Sequence, residues 1–230
     1  MFGIVHIVNF IIKGTNMDIT HKPAKSISDK VAYALVKFFR FFADVFFKKR
    51  YGPRAVVLET VASIPGMIGA ANFHFKCLRK FKNDEGWITT LLEEAENERM
   101  HLMVFLQIAR PSWFERFIIF IAQALFIVLY FTIYIISSKT AHRFVGYLEE
   151  EAVVSYQHYL DEIDAGKIKN IKAPRIAIDY WSLAEDATLR DVVIKTKADE
   201  EKHRDVNHNL SDRMARKEEI ITSMVDTDAT

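Results

Sequence analysis

The sequence predicts an all-α fold built around a four-helix bundle, and three observations carry that prediction. Long stretches repeat their apolar residues at helical spacing, and most of the 8 Gly and 5 Pro of the 230 residues fall between them. A Glu-x-x-His pattern occurs twice, as Glu98-Arg99-Met100-His101 and as Glu200-Glu201-Lys202-His203. Upstream of each copy stands a Leu-Glu-x-x-Ala, Leu58-Glu59-Thr60-Val61-Ala62 and Leu148-Glu149-Glu150-Glu151-Ala152. Residues three apart share a helix face, so each glutamate and its histidine point the same way.

Bulk properties narrow the classes. Net charge is +1, which gives no electrostatic case for nucleic acid as a partner. Cys77 is the one cysteine, so an internal disulfide and any thiolate-based zinc or iron–sulfur site are excluded. Apolar residues make up 50% with 18 Phe, rich for a chain that is 27% charged. The length allows one sizeable core.

Taken in order, residues 1–27 read as an N-terminal arm. Its apolar run from Ile4 to Ile12 has no basic region before it. It does not resemble a secretory signal or transit peptide, so targeting is atypical or a longer presequence precedes it. A first helix starts near Ser28-Asp29, both N-cap types, and carries Phe38, Phe39, Phe42, Phe46 and Phe47 among Lys and Arg. Aromatics bordered by cations suggest a helix lying in a membrane interface over about 28–50; the alternative is a core or dimer helix.

A second helix runs from about Arg54 to Phe81, bent or loosened at Pro65-Gly66. It holds Glu59 among Val56, Val57, Leu58, Val61 and Ala62, and a buried carboxylate there requires a cation. Asn83-Asp84 caps a third helix, which ends at Pro111 and carries Glu93, Glu94, Glu96, Glu98 and His101. Part of that acidity reads as a solvated face.

The stretch 112–137 is the most apolar, with no charge from Phe117 to Ile136. Its length fits a transmembrane helix. A single crossing of about 30 Å would, however, leave Glu98 and His101 on the opposite side from Glu149. A helix lying in one leaflet avoids that conflict and also supplies the crossover such a bundle needs.

A fifth helix runs from about Thr140 to Asp164, Pro174 opens a short one with Tyr180 and Trp181, and the last spans about Ala187 to Lys217. Val193, Thr196, Glu200, His203, Asn207 and Leu210 share its inner face. The domain is thus placed at 28–217, with a polar tail over 218–230 that frays.

One Glu-x-x-His alone is weak evidence, because an exposed helical pair gives the same pattern. Two copies, each behind a Leu-Glu-x-x-Ala on a separate helix, reproduce the ligand order of carboxylate-bridged di-iron or di-manganese centres in ferritin-like bundles. Metal ions that change valence need hard anionic oxygens, and two imidazoles add borderline nitrogens. Zinc alone would not need four carboxylates. Alignment of the two Leu-Glu-x-x-Ala segments selects Glu149 from the run Glu149-Glu150-Glu151, leaving Glu150 and Glu151 as outer or solvated. Tyr156 then lies two turns on, on the face of Glu149. It is either an oxidisable phenol or an ordinary core tyrosine.

With these residues in place, the chain resembles the alternative oxidases, membrane-bound di-iron quinol oxidases of mitochondria. The resemblance rests on Arg50-Tyr51-Gly52-Pro53-Arg54-Ala55, the Glu59 and Glu149 segments, Asn97-Glu98-Arg99-Met100-His101-Leu102, and Ala198-Asp199-Glu200 through His203-Arg204-Asp205-Val206-Asn207-His208. It covers about residues 28–215.

It implies a monotopic enzyme on the matrix face of the inner membrane. Such an enzyme oxidises ubiquinol and reduces dioxygen to water without pumping protons. It implies two iron ions held by Glu59, Glu98, His101, Glu149, Glu200 and His203. Tyr156 is the implied redox-active or hydrogen-bonding tyrosine. Asn97, Asp199, Tyr180, Trp181 and His142 are the implied outer network, and Arg54, Leu58, Leu148, Glu151 and Ser155 the implied quinol channel. A homodimer is implied, to which His74 and the first helix could contribute. Two departures stand out: Lys202 is unusual at its position, and no cysteine precedes Cys77, so the disulfide control of plant members is not expected. The rival readings are a di-iron hydroxylase of a quinone precursor, a ferritin-like iron-binding protein and a structural membrane protein. The uncharged run disfavours the ferritin reading, and the doubled pattern disfavours the structural one.

Overall fold

The computed structural model describes residues 21–218 and 221–223. The apolar run from Ile4 to Ile12 and most of the tail lie outside the described residues. Seven helices are seen among the described residues: α1 (Ile27–Phe47), α2 (Tyr51–Lys80), α3 (Trp87–Ala109), α4 (Trp113–Ile136), α5 (Ser138–Asp164), α6 (Arg175–Trp181) and α7 (Leu189–Ala215).

The bundle is made of α2, α3, α5 and α7. Its most extensive pairings are α5 with α7 and α2 with α3, while α2 and α3 also touch α5 and α7 respectively. Gly66 permits the α2–α3 approach, since a Cβ there would stand 2.3 Å from the Leu91 carbonyl oxygen. Gly146 does the same for α5 and α7, where a Cβ would meet the His208 ring at 2.4 Å.

Local chemistry sets the helix ends. Ser26 rather than Ser28 caps α1, and Asp29 completes a capping box with it. Gly86, at φ +83°, caps α3 instead of Asn83-Asp84. The Asp84 carboxylate still accepts the Ile88 N–H at 2.8 Å. Ser112 and Glu115 form a capping box for α4, and Thr188 and Asp191 one for α7. The helix α2 runs unbroken through Pro65. The tail does not simply fray: Thr222–Ser223 pairs with Lys82–Asn83 as a two-residue antiparallel ladder. Ile221 is buried against Phe73, Cys77, Leu91 and Leu210.

By length and composition, α2 and α4 could each cross a membrane. The apolar window of α2 is 67% buried in the bundle, whereas that of α4 is 17% buried. Helix α4 packs along α2 and α5 through Phe126, Tyr130 and Tyr134. Many of its other side chains, among them Trp113, Phe117, Phe120, Leu125, Val128 and Ile135, are exposed. Phe38, Phe41, Phe42, Val45 and Phe46 of α1 are exposed as well. A surface with this much uncovered apolar area is unlike the rest of the molecule.

Candidate metal centre

Each bundle helix delivers its acidic residue to the interior: Glu59 from α2, Glu98 from α3, Glu149 from α5 and Glu200 from α7, all buried. His101 and His203 follow one turn after Glu98 and Glu200 and are buried with them. One ligand atom each from Glu59, Glu98, His101 and Glu200 lies within 4.8 Å of the others. His101 Nδ1 is 3.4 Å from Glu59 Oε2, 3.5 Å from Glu98 Oε2 and 3.4 Å from Glu200 Oε1. His203 Nδ1 faces Glu98 Oε1 at 2.5 Å. Glu149 stands outside the tight group of four, with its carboxyl against that of Glu200.

These groups face one another without satisfying one another. Glu59 Oε2, both Glu98 oxygens, His101 Nδ1, Glu200 Oε2 and His203 Nδ1 are buried without a well-formed hydrogen bond. Such atoms each cost about 1–3 kcal/mol when unpaired. Burial, then the charges of Glu200 and Glu98, push the Glu59 and Glu149 carboxyls well above their usual range. At Glu98 burial acts in the same upward direction, but His203 and His101 outweigh it and hold the carboxyl low. Hard carboxylate oxygens with the His101 nitrogen converging in a buried, acidic interior, and His203 against Glu98, fit metal binding.

Around this interior the other expected residues fall into two separate groups. Asp199 organises the first. Its Oδ2 accepts from Trp181 Nε1 at 2.9 Å and Asn97 Nδ2 at 3.3 Å, and lies 3.5 Å from His101 Nε2. Lys202 Nζ donates to Asp199 Oδ1 at 2.7 Å, which gives that unusual lysine a role. Burial works upward on Asp199, but the bonds from His101, Lys202 and Trp181 hold it well below the usual carboxylate range. Asn97 Nδ2 also donates to Tyr180 Oη at 2.6 Å. The acceptor on Nε2 leaves His101 Nδ1 turned toward the carboxylates.

His142 is not part of that group. Its Nδ1 pairs with Asn207 Oδ1 at 2.9 Å, and burial lowers its pKa to about 4. Asn207 Nδ2 donates onward to both Glu94 oxygens, at 2.9 and 3.0 Å. Glu94 belongs to the acidic run that reads in part as a solvated face; it is buried, and burial raises its carboxyl to about 7. Its position one turn before Glu98 was the available signal.

Of the two readings of Glu150, outer or solvated, it is buried and not solvated. It accepts from His208 Nε2 at 2.9 Å and the Lys22 backbone N–H at 2.8 Å, and faces His21 Nδ1 at 2.5 Å. Nothing local in the sequence announces partners so distant along the chain.

Tyr156 is buried, stacked on Phe105 at 5.6 Å, and its hydroxyl donates to Glu59 Oε1. The contact is thus with the α2 carboxylate, across the bundle from its own helix. A cavity opens beside the interior, lined by Arg54, Leu58, Leu148 and Glu151 together with Glu59, Glu149 and Glu200. Ser155 is buried but does not line it. Arg54 pairs with Asp44, and Glu151 accepts from Arg40 Nη1 at 2.7 Å. A second, almost wholly apolar groove lies between α1 and α4 and shares Phe39, Ala43, Leu58 and Leu148 with the inner cavity.

Comparison with known proteins agrees with this geometry. The alternative oxidase family model matches residues 12–212. Alternative oxidase 3, mitochondrial, of Glycine max is 56% identical over 198 residues, 86% of this chain and 61% of that protein. Ubiquinol oxidase, mitochondrial, of Batrachochytrium dendrobatidis is 54% identical over 209 residues, 91% of this chain and 66% of that protein. Ubiquinol oxidase 2, mitochondrial, of Arabidopsis thaliana is 55% identical over 192 residues, 84% of this chain and 54% of that protein. The chain thus spans between 54 and 66% of the length of these relatives. It belongs to the alternative oxidase family.

Proposed function

We propose that this chain is a quinol oxidase: it oxidises ubiquinol and reduces dioxygen to water at a di-iron centre, without pumping protons. The observation that carries the reading is the juxtaposition of six buried ligand-type side chains with a cavity that continues into an apolar surface groove. The names of the relatives support ubiquinol as the reductant.

Glu59, Glu98, His101, Glu149, Glu200 and His203 would hold two iron ions. Bound iron would supply the redox chemistry of dioxygen reduction. The chain's own residues do the rest. Asp199, anchored by Trp181 and Asn97, keeps His101 in the tautomer that presents Nδ1. Tyr156 holds its hydroxyl proton against Glu59, where a phenol can yield an electron and that proton together. The quinol ring enters the cavity between Leu58 and Leu148, with the Arg54 guanidinium and Glu151 carboxylate as partners for its oxygens. Its tail lies in the groove between α1 and α4. Two quinols provide the four electrons and four protons that one dioxygen requires, so no other reductant enters the balance.

The exposed apolar faces of α1 and α4 support a monotopic attachment to one leaflet. The mitochondrial names of the relatives support a site on the matrix face of the inner membrane. Exposed Met67, Phe75 and Leu78 on α2, beside His74, support a homodimer. Residues 28–217 form the oxidase domain in this reading, with 1–27 an arm and 218–230 a tail. The test is oxygen uptake by iron-loaded protein given a short-chain ubiquinol in the presence of cyanide. Cyanide-resistant uptake that tracks quinol oxidation is expected. Absence of uptake in a sample holding its iron overturns the assignment.

A further inference from the structure

We propose that Glu94 is a positioning residue that acts, through Asn207, on the His203 half of the metal centre. The inference rests on the di-iron reading above. Superposing the two Glu-x-x-His turns places Asn97 opposite Asp199, so the α3 turn carries an amide where the α7 turn carries the acid that attends His101. Glu94 is the carboxylate outside the six proposed ligands that acts electrostatically on His203. It sits one turn before Glu98, and the turn opposite it on α7 carries Thr196, whose hydroxyl bonds only to its own helix at Val192 O, 3.1 Å away.

Asn207 makes the link mechanical as well as electrostatic. Its Nδ2 donates to both oxygens of Glu94 and to the His203 backbone carbonyl at 3.0 Å. Its Oδ1 accepts from His142. One side chain therefore ties α3, α5 and α7 together one turn from His203. Donation to both oxygens suits an accepting carboxylate, and above its raised value of about 7 the negative charge of Glu94 bears on one end of the centre. At the other end the residue opposite Asn207 is Phe105, stacked on Tyr156. The two metal positions are thus made unequal by neighbours that hold no metal.

The test uses iron-loaded protein at mildly alkaline pH, read by iron content, Mössbauer spectrum and midpoint potential. In E94Q, two irons per chain are retained, one of the two iron environments changes, and the midpoint moves upward because an anion is lost. The control E96Q removes an exposed acid of the same helix that pairs with Arg99, and leaves all three readings as in the unmodified protein. E94D keeps the charge but shortens the link; one iron environment changes while the midpoint stays. Loss of iron in E94Q makes Glu94 a ligand and overturns the positioning role. Equal change of both environments, or no change in E94Q and E94D alike, overturns it too. Failure of the unmodified protein to take up two irons would instead sink the di-iron reading itself.

Discussion

The α2–α3 and α5–α7 halves of the bundle repeat one another in their ligand-type residues and diverge one turn away. Glu59, Glu98 and His101 match Glu149, Glu200 and His203 in order, in the three-residue step from glutamate to histidine, and in burial. Beyond them one end of the interior is polar, with Glu94, Asn207 and His142 bonded in series. The other end is aromatic, with Phe105 stacked on Tyr156. At the position matching Tyr156 in the first half stands Gly66, pressed against the Leu91 carbonyl. Duplication can supply a symmetric cage for two cations. Departures from the repeat give the cage a direction, with an oxidisable phenol at one end and a charged, hydrogen-bonded tie at the other.

The sharpest way to break this comparison is to treat matched residues alike. Phe105→Ala and Asn207→Ala sit at matched positions, yet losses of different physical origin are expected. Removing the ring leaves a cavity worth about 3–5 kcal/mol. Removing the amide strands Glu94 and His142 at about 1–3 kcal/mol each. Denaturant titration of the metal-free protein reads both. A loss well below about 1 kcal/mol in Asn207→Ala would mean that the polar tie contributes nothing and that the two ends do not differ in this way.

Tyr156→Phe should retain iron and lower turnover by roughly 100-fold, as expected when a group that moves a proton in the rate-limiting step is lost. Turnover near that of the unmodified protein would reduce Tyr156 to a packing residue. The polar end has a pH signature instead. His142 titrates near 4 in the fold against an ordinary value of 6.5. The unfolded chain therefore binds more protons between those values, and stability falls as pH drops through that window, by up to about 3 kcal/mol. His142→Phe should flatten that slope; an unchanged slope would assign it elsewhere. Glu150→Ala should give the smallest effect on the centre: iron stays, and stability drops by about 1–3 kcal/mol as His208 and the Lys22 amide lose their acceptor.

What the sequence made legible was whatever depends on short-range spacing. Each Glu-x-x-His reads within four residues and the uncharged run of α4 within one helix, whereas the choice of Glu149 rests on setting its segment beside that of Glu59. Glu94 escaped because composition marks an acidic run without marking its faces. Its spacing to Glu98 puts it on the stripe of Leu91, His101 and Phe105, but the neighbouring Glu93 and Glu96 mask that signal until α3 is seen packed in the bundle. Glu150 escaped because its partners His21 and His208 lie more than fifty residues away on either side. The Gly86 cap and the ladder between Lys82–Asn83 and Thr222–Ser223 depend on a left-handed backbone and a long-range pairing that no periodicity encodes.

The central claim is that the repeat builds one two-metal cage from both halves. Iron counted per chain in the unmodified protein, Glu59→Ala and Glu149→Ala tests it most directly. The expected result is two irons in the unmodified chain and loss of the pair in either variant, one from each half. Two irons retained in Glu149→Ala would contradict the account, because α5 would then contribute no ligand.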